Sequence, residues 1–166
     1  MTNIQDRMGD SSDEGQLRYL HAAELAQQQR YAEAENEFAA ALVMNPSLHT
    51  ARFQLGLLQL TNGNVDAARS TWASLMDTAS PAELQCFVRG LDALIQDDFP
   101  TAIAHLQKGI SLNRTNAPLN KDMAMVIEKI NAANTHTSAP RVAATSTAEP
   151  ESLSTRTDFS LYNQKY

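Results

Sequence analysis

The middle of the chain carries the residues that decide its fold. Residues 49–72 read HTARFQLGLLQLTNGNVDAARSTW, an apolar stretch, a polar turn and a second stretch that ends in a large aromatic residue. Stretches of helical length on both sides of a turn such as Asn62-Gly63-Asn64 are typical of two antiparallel helices. A single pair of this kind cannot bury its apolar stripe alone, so we expect it to stack on others.

The same pattern recurs 34 residues before and 34 residues after this stretch. When the three stretches are aligned, five positions, here called columns, carry similar residues in all three. The columns are Tyr31, Val65 and Phe99; Ala34, Ala68 and Ala102; Ala22, Gly56 and Gly90; Phe38, Trp72 and Leu106; Leu42, Met76 and Ile110. Small residues in two of the columns let paired helices approach closely, and large ones fill the space between successive pairs. Columns that share one period indicate three stacked helix pairs.

The predicted fold class is therefore all-α, a solenoid of three antiparallel helix pairs followed by a seventh, capping helix. We predict the pairs at residues 13–28 and 31–44, 47–61 and 65–78, and 82–96 and 99–112. A seventh helix, introduced by Asn116 and Pro118, is predicted at 117–132 and has a single apolar stripe. It does not repeat the pattern, so we expect it to cover the exposed face of the third pair, as terminal caps of solenoids do.

The two ends are predicted to lie outside this domain of residues 13–132. Residues 1–12 are polar and acidic and are predicted to be disordered. Residues 133–166 contain much Ser, Thr and Pro and are predicted to be a flexible tail that ends in an aromatic segment. Its large side chains are Phe159, Leu161, Tyr162 and Tyr166. They form either an accidental ending or a docking segment for the chain's own groove, a neighbouring copy or another protein.

Residues 15 to about 132 resemble tetratricopeptide repeats, which have the pattern W-x2-L-G-x2-Y, then A-x3-F, then P. The second pair matches best, through Leu55-Gly56, Asn62-Gly63, Ala68 and Trp72. The chain departs from the family where Arg18, Arg52 and Cys86 replace the leading Trp, and where Leu25, Gln59 and Ala93 replace the Tyr. The resemblance implies a right-handed superhelix with a concave groove lined by the first helix of each pair.

In that register, the groove is expected to be apolar and aromatic, with almost no charge. The expected partner-binding residues are Tyr19, Ala23, Phe53, Leu57, Leu60, Leu84, Phe87, Leu91 and Leu94. Such a groove suits an apolar segment of a protein or peptide partner, and it lacks the basic residues that clamp acidic chaperone tails. Tyr19, Phe53 and Phe87 are the strongest candidates for contact. The alternative for Leu91 and Leu94 is burial in the core by the seventh helix, the tail or a second copy.

Composition and motifs argue against other classes of function. The net charge of -6 without any basic cluster argues against nucleic acid and against anionic membrane surfaces. No transmembrane run or signal segment is recognisable, Cys86 is the single cysteine, and the cytoplasm is the expected location. The four histidines have no metal-ligand spacing, and no nucleophile and base can be paired. We expect no catalytic residue, no metal site and no cofactor.

Three functions remain open at this point. The first is an adaptor or scaffold in a bacterial-style multi-protein assembly. The second is a chaperone for a secreted protein, similar to the tetratricopeptide chaperones of type III secretion translocators. Those usually carry an extra helical segment before the first repeat, which Met1 to Gly15 is too short and polar to supply. The third is a homo-oligomeric structural module in which the aromatic tail docks into a neighbour.

Overall fold

The protein is an array of helices in which the chain reverses direction from one helix to the next. The structure, a computed structural model, describes residues 4–77 and 79–137, and all regular secondary structure in these ranges is helical. The helices are α1 (Ile4–Gln27), α2 (Tyr31–Met44), α3 (His49–Thr61), α4 (Val65–Trp72), a 3₁₀ helix (Ala73–Met76), α5 (Ala82–Ile95), α6 (Phe99–Leu112) and α7 (Ala117–Thr137). The predicted all-α solenoid with a seventh helix is confirmed.

The helical domain extends further at both ends than the sequence predicted. Helix α1 begins at Ile4 and so includes residues 4–12, for which the sequence predicted disorder. Gln, Met and Arg in this stretch are good helix formers. Helix α7 continues to Thr137, five residues beyond its predicted end at 132. Residues 133–137, which the sequence assigned to the tail, are part of α7.

The turn inside each pair repeats with the same backbone geometry. Gln29, Gly63 and Asp97 have φ values of 62°, 83° and 58°, in the left-handed region, and they are spaced 34 residues apart. The amide after each of them donates to a carbonyl five residues back; Asn64 N–H, for example, lies 2.8 Å from Gln59 O. These are Schellman ends, which satisfy the last carbonyls of the helix. The period therefore appears in the backbone as well as in the side chains.

Asparagines organise the connections after the first and third pairs. The Asn45 Oδ1 atom accepts from the Ser47 N–H at 3.1 Å, and the Asn113 Oδ1 atom accepts from the Asn116 N–H at 3.1 Å. Asn116 in turn accepts from the Leu119 N–H at 3.1 Å and so caps α7, as its position predicted. Buried Asn113 also donates to Asn120, which fixes the start of the capping helix against the end of α6.

Two apolar clusters form the core, and α3 contributes to both. The first cluster joins α1, α2 and one side of α3 through residues such as Ala22, Phe38 and Leu55. The second, larger cluster joins the other side of α3 to α4, α5, α6 and α7. Phe53 and Trp72 lie at its centre, with ring centroids 5.9 Å apart. Helix α3 is therefore the element that connects the two halves of the domain.

Small residues in the repeat columns allow this packing, as the sequence predicted. A Cβ atom on Gly56 would overlap the indole ring of Trp72, and one on Gly90 would lie 2.8 Å from the Leu106 side chain. The close approach lets the Trp72 Nε1–H donate to the Phe53 carbonyl at 3.0 Å. The aromatic side chain is thus buried without leaving its indole N–H unpaired.

Candidate partner-binding surfaces

The expected groove residues fall into rows along the first helices of the three pairs, and their exposure falls from the first pair to the third. In one row, Tyr19 is half-buried, whereas Phe53 and Phe87 are completely buried. In the next row, Ala23 and Leu57 are half-buried and Leu91 is buried. The expected groove residues are therefore partly accessible in the first two pairs and buried in the third.

The prediction that all nine residues line an open groove needs a correction. The buried residues are Phe53, Leu60, Leu84, Phe87, Leu91 and Leu94. They belong to the large apolar cluster, which also contains Met123 and Ile130 of the capping helix. The alternative of burial in the core therefore applies to Leu91 and Leu94, and it extends to Phe53 and Phe87. Side chains without exposed surface cannot contact a partner unless the domain rearranges.

Tyr19, Ala23 and Leu57 remain as the accessible part of the expected surface. The Tyr19 ring packs against Phe38, with centroids 6.2 Å apart, and so lies at the edge of the first cluster. Burial raises the pKa of the Tyr19 hydroxyl, because the charged form would lose hydration. Leu57 packs in the same way at the edge of the second cluster. The surface is small, apolar and located on α1 and α3.

A second surface lies on the outer side of α1, where Leu17 and Leu20 are 66% and 54% exposed. Next to them, Arg18 occupies the position of the family's leading Trp. Its guanidinium pairs with Glu37 of α2 at 3.1 Å. The ion pair thus connects the two helices of the first pair. In the family pattern, the Trp at this position would connect them through an apolar contact.

A cleft of about 470 Å³ between the second and third pairs was not predicted. Beside it, α4 ends at Trp72 and the chain continues as a 3₁₀ helix, whereas the sequence predicted one helix over 65–78. Its apolar side includes Trp72, Met76 and Val88, and its polar side comes from α4, α5 and α6. Met76 is 36% exposed here, although Leu42 and Ile110 in the same column pack onto the clusters.

Comparison with known proteins agrees with the repeat geometry. Residues 19–83, which span α1 to the start of α5, match the family described as tetratricopeptide repeat. This match and the seven α-helices of the described residues fit a tetratricopeptide repeat protein. No curated protein matches the chain in sequence. Tetratricopeptide repeats generally mediate protein–protein interactions and are typically non-catalytic modules.

Within residues 4–77 and 79–137, no three His, Cys, Asp or Glu side chains lie close enough together to hold a metal ion. Cys86 lies on α5 and is buried. No helix in those ranges combines the length and apolar character needed to cross a membrane. The tail residues Phe159, Leu161, Tyr162 and Tyr166 lie outside the described residues.

Proposed function

We propose that this protein is a non-catalytic adaptor in the cytoplasm that binds an apolar segment of a partner protein on the concave side of its first two helix pairs. The observation that supports the proposal is the partial exposure of Tyr19, Ala23 and Leu57, which lie in the stretch that matches a family of interaction repeats and at positions that the sequence assigned to the groove. These side chains are half-buried and uncharged, so a partner can cover them without desolvating a charge.

The size of this surface favours a short segment over a large flat partner. Two partly exposed rows on α1 and α3 offer room for one or two anchoring side chains, either from an amphipathic helix or from an extended peptide. Contacts of this size belong to transient interactions, because stable interfaces bury more than about 1,000 Å² in total. We therefore expect reversible, recruiting contacts.

The proposal can be tested by affinity capture from the native organism with quantitative mass spectrometry. Tyr19→Ala and Leu57→Gln, which remove apolar surface from the concave side, are expected to lower recovery of the specific partner at least tenfold. Val43→Ala is the matched control, because Val43 is 82% exposed on α2 and outside the groove register. Circular dichroism shows whether each variant is folded. A partner retained by both folded variants contradicts the proposed surface.

A chaperone for a secreted protein is the second candidate, and one observation favours it. Helix α1 begins at Ile4, well before the first repeat, and so supplies the kind of preceding helical segment that the sequence did not predict. A chaperone is expected to keep its client soluble. Co-expression of the captured partner with and without this protein, followed by sedimentation, measures that effect, and an equally soluble client in both cases contradicts it.

A further inference from the structure

We propose that the cleft between the second and third helix pairs is a docking site for residues 157–162 of the chain's own tail, which read TDFSLY. This inference goes beyond the proposed function, because the cleft lies outside the concave rows that would receive a partner. It rests on the shape of the cleft, the charges along it and the chemistry of the tail.

The cleft has the size and the apolar surface of a peptide side-chain pocket. Its volume of about 470 Å³ lies within the range of about 300–1,000 Å³ that is usual for binding pockets. Trp72 and Val88 border the cleft but are almost fully buried, so the apolar surface that a ligand can contact comes mainly from Ala73 and Met76, which are exposed. Met76 is a flexible, polarizable side chain that adapts to aromatic neighbours. One or two large side chains of a peptide would fill this space.

One positively charged side chain of the cleft, Arg89, is available to pair with a ligand. The Asp92 carboxylate is already engaged, because it accepts from Arg69 Nε at 2.7 Å and from Gln96 Nε2 at 2.8 Å. The Asp98 carboxylate caps α6 by accepting from the Thr101 N–H at 3.2 Å. By contrast, Arg89 is exposed and makes no hydrogen bond or ion pair within the described part of the chain. An acidic group on the ligand would find its partner there.

Residues 157–162 offer the matching groups. Asp158 carries the negative charge, and Phe159 and Leu161 follow it as large apolar side chains. The concave rows offer no comparable match, since Tyr19, Ala23 and Leu57 are uncharged. The exposed leucines of α1 do not offer one either, because the neighbouring Arg18 is paired with Glu37. Of the three surfaces, the cleft therefore suits this segment best.

The length of chain between the domain and the segment permits intramolecular docking. Residues 138–156 follow the end of α7 at Thr137. An unstructured chain of about 20 residues has a root-mean-square span of roughly 25 Å, close to the roughly 26 Å that twice the radius of gyration of a 100-residue domain gives. Such a linker raises the local concentration of the segment to the millimolar range, so even weak contacts would be occupied.

Paramagnetic relaxation in the full-length protein tests the proposal. A nitroxide is attached to Ser160→Cys in a Cys86→Ala background, and broadening of backbone amide signals is measured by NMR. We expect broadening at Met76, Arg89 and Asp92, and little at Tyr19 and Leu57. Broadening concentrated at Tyr19 and Leu57 overturns the site, and uniform or absent broadening overturns docking altogether. Because the readout is the tail's position and not partner capture, failure here is independent of the proposed adaptor function.

A mixed sample decides whether the segment docks within one chain or between copies. Spin-labelled protein without ¹⁵N is combined with ¹⁵N-labelled protein without the spin label. We expect no broadening in this mixture at the concentrations that give it within one molecule. Broadening at the cleft in the mixture shows that the segment of a second copy occupies the cleft, and it overturns the intramolecular proposal.

Charge variants test the recognition itself. Arg89→Gln and Asp158→Asn are each expected to lower the bound-to-free ratio by about two- to fivefold, as for an exposed ion pair, and Phe159→Ala by about tenfold. Arg114→Gln, on the exposed α6–α7 connection, is the matched domain control. Arg156→Gln removes a positive charge two residues before Asp158 and is expected not to weaken docking. Weakening by Arg156→Gln equal to that by Asp158→Asn overturns the assigned pairing.

Discussion

At the scale of single residues, each turn has one position with a left-handed backbone conformation. Glycine adopts this conformation most easily, but not every turn has glycine there. Gly63 occupies it in the second pair, but Gln29 occupies it in the first, with a φ of 62°. Residues with a Cβ atom are strained in this region, whereas glycine is not. The first turn therefore holds a side chain that its backbone conformation disfavours.

We expect Gln29→Gly to raise the free energy of unfolding by about 0.5–1 kcal/mol, because it relieves this strain at a Schellman end. Urea denaturation followed by circular dichroism measures the change. The matched control is Gln28→Gly, one residue earlier, where φ is not positive and glycine only adds flexibility to the unfolded chain. The explanation fails if both variants shift the midpoint in the same direction by the same amount.

At the scale of elements, buried polar side chains hold α3 in place between its neighbours. Gln59 accepts from the Thr71 hydroxyl of α4 at 2.7 Å and donates to the Glu35 carboxylate of α2 at 3.2 Å. It stands where the family has Tyr, and it replaces that ring with two hydrogen bonds to the flanking helices. Gln54, on the same helix, has a buried Oε1 atom that finds no partner among the described residues.

The two glutamines give opposite expectations for the same substitution. Gln59→Leu is expected to lower the free energy of unfolding by about 1–2 kcal/mol, because it breaks two interhelical hydrogen bonds. Gln54→Leu is expected to leave it unchanged or raise it by up to about 1 kcal/mol, because an unpaired buried oxygen is removed. Thermal and urea unfolding of the two variants side by side measure the difference. Equal destabilisation by both substitutions would rule out this account.

Elements also show which parts of the structure local sequence determines. The bounds of α2 and α6 follow directly from the 34-residue period and its turn residues. The early end of α4 does not, although Ser70, Thr71 and Ser74 are weak helix formers that lower the cost of a 3₁₀ turn. Burial of Leu91 and Leu94 was foreseen as an alternative, but burial of Phe53 and Phe87 was not. Their burial depends on packing between helices in the larger cluster, which no local pattern encodes.

At the scale of the whole molecule, two clusters of unequal size share α3. The smaller one stabilises α1 and α2, and the larger one includes the capping helix. In a solenoid, stability is approximately a sum over repeats and their nearest-neighbour contacts, so regions with fewer contacts open more readily. The first pair is therefore expected to be the least stable part of the domain.

Native-state hydrogen exchange tests this expectation. Amides of α1 and α2 are expected to exchange at lower opening free energies than amides of α5 and α6. Phe38→Leu, which puts a smaller apolar side chain inside the smaller cluster, is expected to lower protection in α1 and α2 by about 1 kcal/mol and to leave α5 and α6 nearly unchanged. The corresponding Leu106→Met change in the larger cluster is the control. Equal loss of protection in every helix would show that the domain opens as one unit.

The position of α7 gives the array a direction. Because this helix seals the last pair through Asn113, Asn116 and Asn120, its fit depends on α6 and not on the number of pairs that precede it. An engineered chain with one more 34-residue unit spliced in upstream of α5 would keep that seal intact. Helix α7 can therefore cap arrays that contain different numbers of helix pairs.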